Sequence, residues 1–183
     1  CLFMSATLDK TFIADTMGLD SNSVDFIYGG YIFNPDNKKV IDCQREPFNY
    51  IKMQNPDFMK DECAVISSII KQYDDTKGII LVTSFSQLKT VQEYLEKFLN
   101  ENNIDIKIFA QSQGDGLAVT LDDFINYKEP SVLISPSMFE GISLDDDLCR
   151  YLVFFKSPYA SLGDKRIKYI SNKELLEKNI TAM

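Results

Sequence analysis

The sequence predicts an α/β fold of three layers, a mainly parallel sheet with helices on both faces. Three observations carry that prediction. Apolar runs of strand length, rich in β-branched residues, recur at "GIILVTSF", "SVLISPS" and "CRYLVFFKS", as expected of strands buried on both faces. Between them lie segments whose apolar residues step by three and four, the stripe of an amphipathic helix. Strands separated by helices of this length call for crossover connections and hence a parallel sheet.

Taken in order, "FMSATLDK" leaves a strand-like start and turns at Ser5-Ala6-Thr7 toward a short helix striped by Phe12, Ile13, Met17 and Leu19, with Gly18 near its end. The next stretch, "SVDFIYGGYIFNPDNKKVIDC", has paired glycines and a Pro-Asp-Asn turn signal, and "QREPFNYIKMQNPDF" reads as extended. Pro35, Pro47 and Pro56 argue against a long helix there. From about residue 60 the alternation begins, with Val65, Ile66, Ile69, Ile70 and Tyr73 as one stripe ending near "DDTKG". The strand "GIILVTSF" closes on Ser84 and Ser86, with Ser86 as the expected N-cap of a helix striped by Leu88, Val91, Tyr94, Leu95, Phe98 and Leu99 and ended by "NENN". "IDIKIFA" alternates as a strand and "QSQGDG" is a Gly-containing loop. Thr120 followed by Asp123 looks like a weak capping pair before Leu121, Phe124 and Ile125. After the last two strands, "GDKRIKYISNKELLEKNI" closes as one helix or two.

Composition narrows the function. At 183 residues, 45% hydrophobic, the chain is long enough to bury a sizeable core. No apolar stretch approaches the roughly 20 residues of a membrane span, and no export signal is visible, so no membrane partner is expected. Cys1, Cys43, Cys63 and Cys149 are too scattered for a zinc or iron–sulfur site, and read as reduced structural thiols. The absence of histidine removes the commonest general base and metal ligand and any Ser-His-Asp or Cys-His arrangement, which argues against conventional hydrolase chemistry. A net charge of −8 repels nucleic acid overall, so any such binding must come from local amides, hydroxyls and a few lysines. The opening on Cys1, amid an apolar run, is expected of a piece of something longer.

In open α/β sheets ligands bind at the carboxyl ends of the strands, where "TSFS", "QSQGDG", "SPSMFEG" and "KSPY" fall. That places Glu140-Gly141 and the acidic turn Asp145 to Asp147 on the functional rim; the competing reading is a loop whose aspartates merely face water.

These residues carry a family resemblance. "FMSATL" resembles motif III of superfamily 2 helicases, "LVTSFSQL" is similar to the motif IV of the XPD/DinG family, and "REPFNY" stands where that family has a Ser-Pro-Phe segment. The most specific match is "MFEGISLDDDLCRYLVFFKSPY", which resembles the family's motif V in order, spacing and flanking strands. The resemblance implies three segments: residues 1–20 as the end of a first RecA-like domain, 21–57 as a connector, and 58–183 as a second RecA-like domain. It implies a motor that clamps ATP and Mg²⁺ between two such domains, held mainly by the first, and moves 5′ to 3′ on single-stranded DNA. An iron–sulfur cluster, where the family has one, would lie upstream. The expected localisation is cytoplasmic in a prokaryote and nuclear in a eukaryote.

Carried over by position, Ser5, Ala6 and Thr7 would couple nucleotide state to DNA grip, Thr83, Ser84 and Ser137 would face the strand, and Glu140 and Gly141 would reach the nucleotide. No catalytic or metal-binding residue is expected within this chain, because the phosphate loop and the paired arginines of the family are not in it. Two departures stand out: Phe139 replaces the family's Trp, and Ser143 its Asp. The alternative is a helicase-derived module that no longer turns over ATP and binds a protein or nucleic-acid partner. Phe85 and Phe139 read as core residues, Ser84 and Ser86 have helix capping as their simpler role, and Tyr159 anchors a strand end. Lys165, Arg166 and Lys168 read as a solvated helix face.

Overall fold

The computed structural model describes residues 4, 10–30, 34, 39–43, 49–114, 117–137 and 142–156. The chain divides into two compact units, Cys1–Glu46 and Pro47–Met183. In the first, helix α1 (Lys10–Met17) buries Ala14 and stops at Gly18, whose φ of +65° lies in the left-handed region glycine tolerates best. Leu19 N–H donates to Ala14 O at 2.9 Å and Gly18 N–H to Asp15 O at 3.4 Å, the double closure of a Schellman end. Met17 and Leu19, expected on the apolar stripe, are largely exposed, since the helix ends at Met17 and Leu19 lies beyond its cap.

The second unit opens with two helices where an extended segment was expected. Helix α2 (Tyr50–Met53) is capped by Asn49, and helix α3 (Pro56–Gln72) by Asn55, whose side chain accepts from Asp57 N–H at 2.9 Å. Pro56 starts α3 instead of forbidding it: in the first turn its missing N–H has no intrahelical partner to lose. Strand β1 (Lys77–Leu81), helix α4 (Phe85–Asn102), strand β2 (Lys107–Ala110), helix α5 (Leu117–Asn126), strand β3 (Ser131–Ser135) and strand β4 (Tyr151–Phe154) follow. Helix α4 is capped by Ser84 and not by Ser86, and α5 begins three residues before Thr120, so Thr120 and Asp123 lie inside it.

Among the described residues every strand pair is parallel, in the order β2-β3-β1-β4. Helices α3 and α4 cover one face, packing Ile66, Ile70, Val91 and Leu95 against Ile80, Val132 and Ile134. Helix α5 covers the other, where Phe124 meets Ile79, Leu81, Phe109 and Leu133. The central strands β1 and β3 are buried at every residue, which is why they read as unbroken apolar runs. The third run differs: β4 lies at the sheet edge, turning Tyr151 and Val153 toward the α3–α4 core while Leu152 and Phe154 are about half exposed. The closing segment from residue 157 onward lies outside the described residues.

At the amino end of the sheet, Lys77 is buried beneath α5 and donates from Nζ to Phe124 O at 2.6 Å and also to Tyr127 O. It thereby satisfies carbonyls that the helix end leaves open. Burial, and then the nearby Lys128, hold its pKa below the ordinary lysine value.

Cys63 is packed inside α3, and burial, reinforced by Glu62, pushes its thiol up to about 12. A thiol reagent at pH 8 is therefore expected to label exposed Cys43 rapidly and to leave Cys63 untouched until denaturant unfolds the second unit. Rapid labelling of Cys63 in native protein, read by peptide mass mapping, would contradict this packing.

Candidate functional site

At the carboxyl end of the sheet the backbone gives out into two polar clusters, each organised by a buried glutamine. The first follows β1. Val82 extends the ladder by donating its N–H to Ser135 O at 3.0 Å. Thr83 then turns the chain, and its N–H and its hydroxyl both donate to Gln87 Oε1 at 2.9 Å. Ser84, with an extended backbone, accepts Gln87 N–H on Oγ at 3.2 Å and so starts α4. Gln87 Nε2 donates to Met53 Sδ at 2.9 Å, and Lys156, just past β4, brings Nζ to 3.9 Å from the same sulfur. Met53, Thr83, Ser84, Gln87, Thr90 and Lys156 line a cavity of about 430 Å³.

The second cluster joins β2 to β3. Gln111 N–H donates to Ile134 O at 3.1 Å, continuing the ladder one residue past β2. Its Oε1 accepts from Ser135 Oγ at 2.6 Å and from Ser137 Oγ at 2.9 Å, while Ser137 N–H donates to Ser135 Oγ at 3.2 Å. Both glutamines are only 8% exposed, yet each gathers the hydroxyl residue of the loop beside it.

The acidic turn, expected on this rim, lies instead at the amino end of the sheet: it leads into β4, which runs parallel to β1 from the Gly78–Tyr151 pair, and Arg150 N–H donates to Lys77 O at 2.8 Å. Asp145 leads into a single 3-10 turn at Asp146–Leu148 and takes a hydrogen bond from Ser143 Oγ at 3.3 Å. Asp147 pairs with Arg150, whose Nε lies 2.8 Å from its Oδ1, an exposed pair that contributes little stability. Asp145, Asp146 and Asp147 are all exposed. Among the described residues no three acidic or cysteine side chains converge on a position that would hold a metal.

Of the residues expected at the site, Thr83, Ser84 and Ser137 lie on this rim, Thr83 and Ser84 in the first cluster and Ser137 in the second. Their chemistry is more committed than the sequence implies, since Thr83 and Ser137 spend both their N–H and O–H donors inside the protein. Ser84 serves as a helix cap, the simpler of its two expected roles, and keeps its own proton. Phe85 is half-buried against the α3–α4 core, as a packing residue. Ser5, Ala6, Thr7, Glu140 and Gly141 lie outside the described residues, as do Phe139, Tyr159, Lys165, Arg166 and Lys168.

Gln87 and Gln111 are the residues that sequence reasoning passed over. The signal for both was a polar residue on an apolar beat: Gln87 stands four before Val91 on the α4 stripe, and Gln111 two after Phe109 on the β2 alternation. Taken together the rim offers neutral hydroxyl and amide donors and one amine. Such a set can hold an anionic chain without reading its bases.

No curated protein matches the chain. A family model described as the helicase C-terminal domain matches residues 66–180, from the middle of α3 through all four strands. That span is well over half of the chain and includes both polar clusters apart from Met53. With the parallel α/β sheet and a donor-lined carboxyl rim, it establishes that this chain belongs to the helicase C-terminal domain family.

Proposed function

We propose that the chain is the C-terminal motor domain of an ATP-dependent DNA helicase of the XPD/DinG kind, which couples ATP binding and hydrolysis to 5′-to-3′ movement on single-stranded DNA. The observation that carries this reading is the rim itself: "TSFSQ" and "SPS", which resemble the motif IV and motif V edges of that family, sit at the carboxyl ends of adjacent strands β1 and β3. A domain with a net charge of −8 that still grips a polyanion needs donors of this local, neutral type.

In this reading the first RecA-like domain of the same protein holds most of the ATP and Mg²⁺, and the present domain closes on them. ATP supplies the phosphoryl transfer whose free energy drives the movement. The chain's own residues have two tasks. Gln87 and Ser84 fix the β1–α4 turn, and Gln111 fixes Ser137 at the end of β3, so the strand meets a preorganised surface. Glu140 and Gly141, three and four residues past Ser137, are assigned to the nucleotide side, and Ser5, Ala6 and Thr7 to coupling between the two ligands.

Glu140→Ala in the full-length protein is expected to lower DNA-stimulated ATP turnover about tenfold or more while leaving the melting temperature unchanged. Turnover equal to wild type would remove Glu140 from the site.

A further inference from the structure

We propose that Gln111 contacts the ligand directly, its carboxamide N–H groups donating to an anionic oxygen of a single-stranded polynucleotide backbone. This deepens the reading of the rim as a strand-binding surface and rests on it. Gln111 is 8% exposed, and its Nε2 is not sealed from solvent, so the nitrogen is the part of the side chain that can meet a ligand. The two ends of the amide differ. Oε1 takes two hydroxyl donors, from Ser135 at 2.6 Å and Ser137 at 2.9 Å, which fills its lone pairs. Nε2 has no hydrogen-bond partner among the described residues.

The orientation of the amide is fixed by its neighbours. Ser135 Oγ and Ser137 Oγ both donate to Oε1, which turns the nitrogen away from them. The backbone is equally constrained, because Gln111 N–H is tied to Ile134 O at 3.1 Å. Gln87 provides the contrast. It also accepts two donors on Oε1, but its Nε2 ends on Met53 Sδ. Gln111 is thus a preoriented donor with no acceptor among the described residues, while Ser137, both of whose donors are used, acts as the residue that positions it.

The ligand class follows from the layout of the remaining donors. Gln111 follows β2, Ser84 follows β1 and Lys156 follows β4, and the strand order β2-β3-β1-β4 spreads them along one rim. At ordinary strand spacing that row is about 14 Å long. An extended polymer of phosphodiesters fits such a row better than a compact triphosphate, and neutral amides are common partners of backbone phosphates.

The test uses the full-length protein, a fluorescent oligothymidylate read by anisotropy, and the KM for ATP. Gln111→Glu keeps an acceptor for Ser135 and Ser137 but exchanges the donor for an oxygen. It is expected to weaken oligothymidylate binding about tenfold or more with the KM for ATP unchanged. Should the buried carboxylate unfold the protein, Gln111→Met, uncharged and of similar length, decides alone, with the same expected loss. Wild-type affinity in a folded variant overturns the proposal, as does a raised KM for ATP with strand affinity intact, which would give the donor to the nucleotide. If wild-type protein itself fails to bind oligothymidylate, the reading of the rim falls as well, so the two failures are told apart.

Discussion

Gly78→Ala is expected to destabilise the second unit by about 3 kcal/mol, at the upper end of what overpacking does in a close-packed core. Gly78 lies in the central strand β1, in register between Val132 and Tyr151. The ring of Tyr151 lies directly over it, so that an added Cβ would come within 2.1 Å of Tyr151 Cζ and 2.2 Å of Cε2. The ring cannot easily yield, being packed at 5.4 Å against Tyr73 and closing the α3–α4 core at the sheet edge. The methyl must therefore move a strand or expel a ring. Equilibrium urea unfolding measures the loss, and a double-mutant cycle identifies its cause: in a Tyr151→Ala background, Gly78→Ala is expected to cost less than about 1 kcal/mol. An equal cost in both backgrounds would mean that the methyl meets something other than this ring.

Phe124→Ala acts on the opposite face and is expected to cost about 3–5 kcal/mol. Phe124 is fully buried, stands edge-on to Phe109 at 5.8 Å between ring centroids, and fills the space between α5 and the strands. Lys77 Nζ lies 4.9 Å from its ring centroid while bonding its carbonyl. Truncation thus opens a cavity, removes an aromatic pair and loosens the helix end that Lys77 closes. Among the described residues α5 is the helix that covers this face, so few neighbours can collapse into the gap. A loss below about 1 kcal/mol in urea unfolding would contradict the packing of α5.

How far these features could be read in the sequence follows from how local their causes are. Strands β1 and β3 were legible because central parallel strands have no wet side, and their apolar runs need no partner to be recognised. The same rule misjudged β4, whose apolar run looks no different but lies at the sheet edge, a fact set by strand order and not by composition. Gly18 was readable as a stop because a Schellman end is closed within six residues. Asn55-Pro56 was read as a breaker when it is a cap followed by a helix start, since the same dipeptide serves both purposes and the buried side of α3 decides between them.

The candidate site shows the same division. Thr83, Ser84 and Ser137 could be placed on the rim from the positions of the strand ends. What they bond to could not, because Gln111 reaches Ser135 and Ser137 across 24 and 26 residues of chain. The two glutamines turn a set of loop hydroxyls into a fixed surface, and only the folded sheet brings them together.

The central claim, that this domain is half of a strand-driven ATPase motor, is tested most directly by ATP turnover of the full-length protein with and without single-stranded DNA, beside the isolated chain. The account predicts turnover by the full-length protein that depends on the single strand, and none by the isolated chain. A full-length protein that is folded, carries any cofactor it needs, and yet turns over no ATP with or without the strand would contradict it, and would make the chain a partner-binding module of helicase descent.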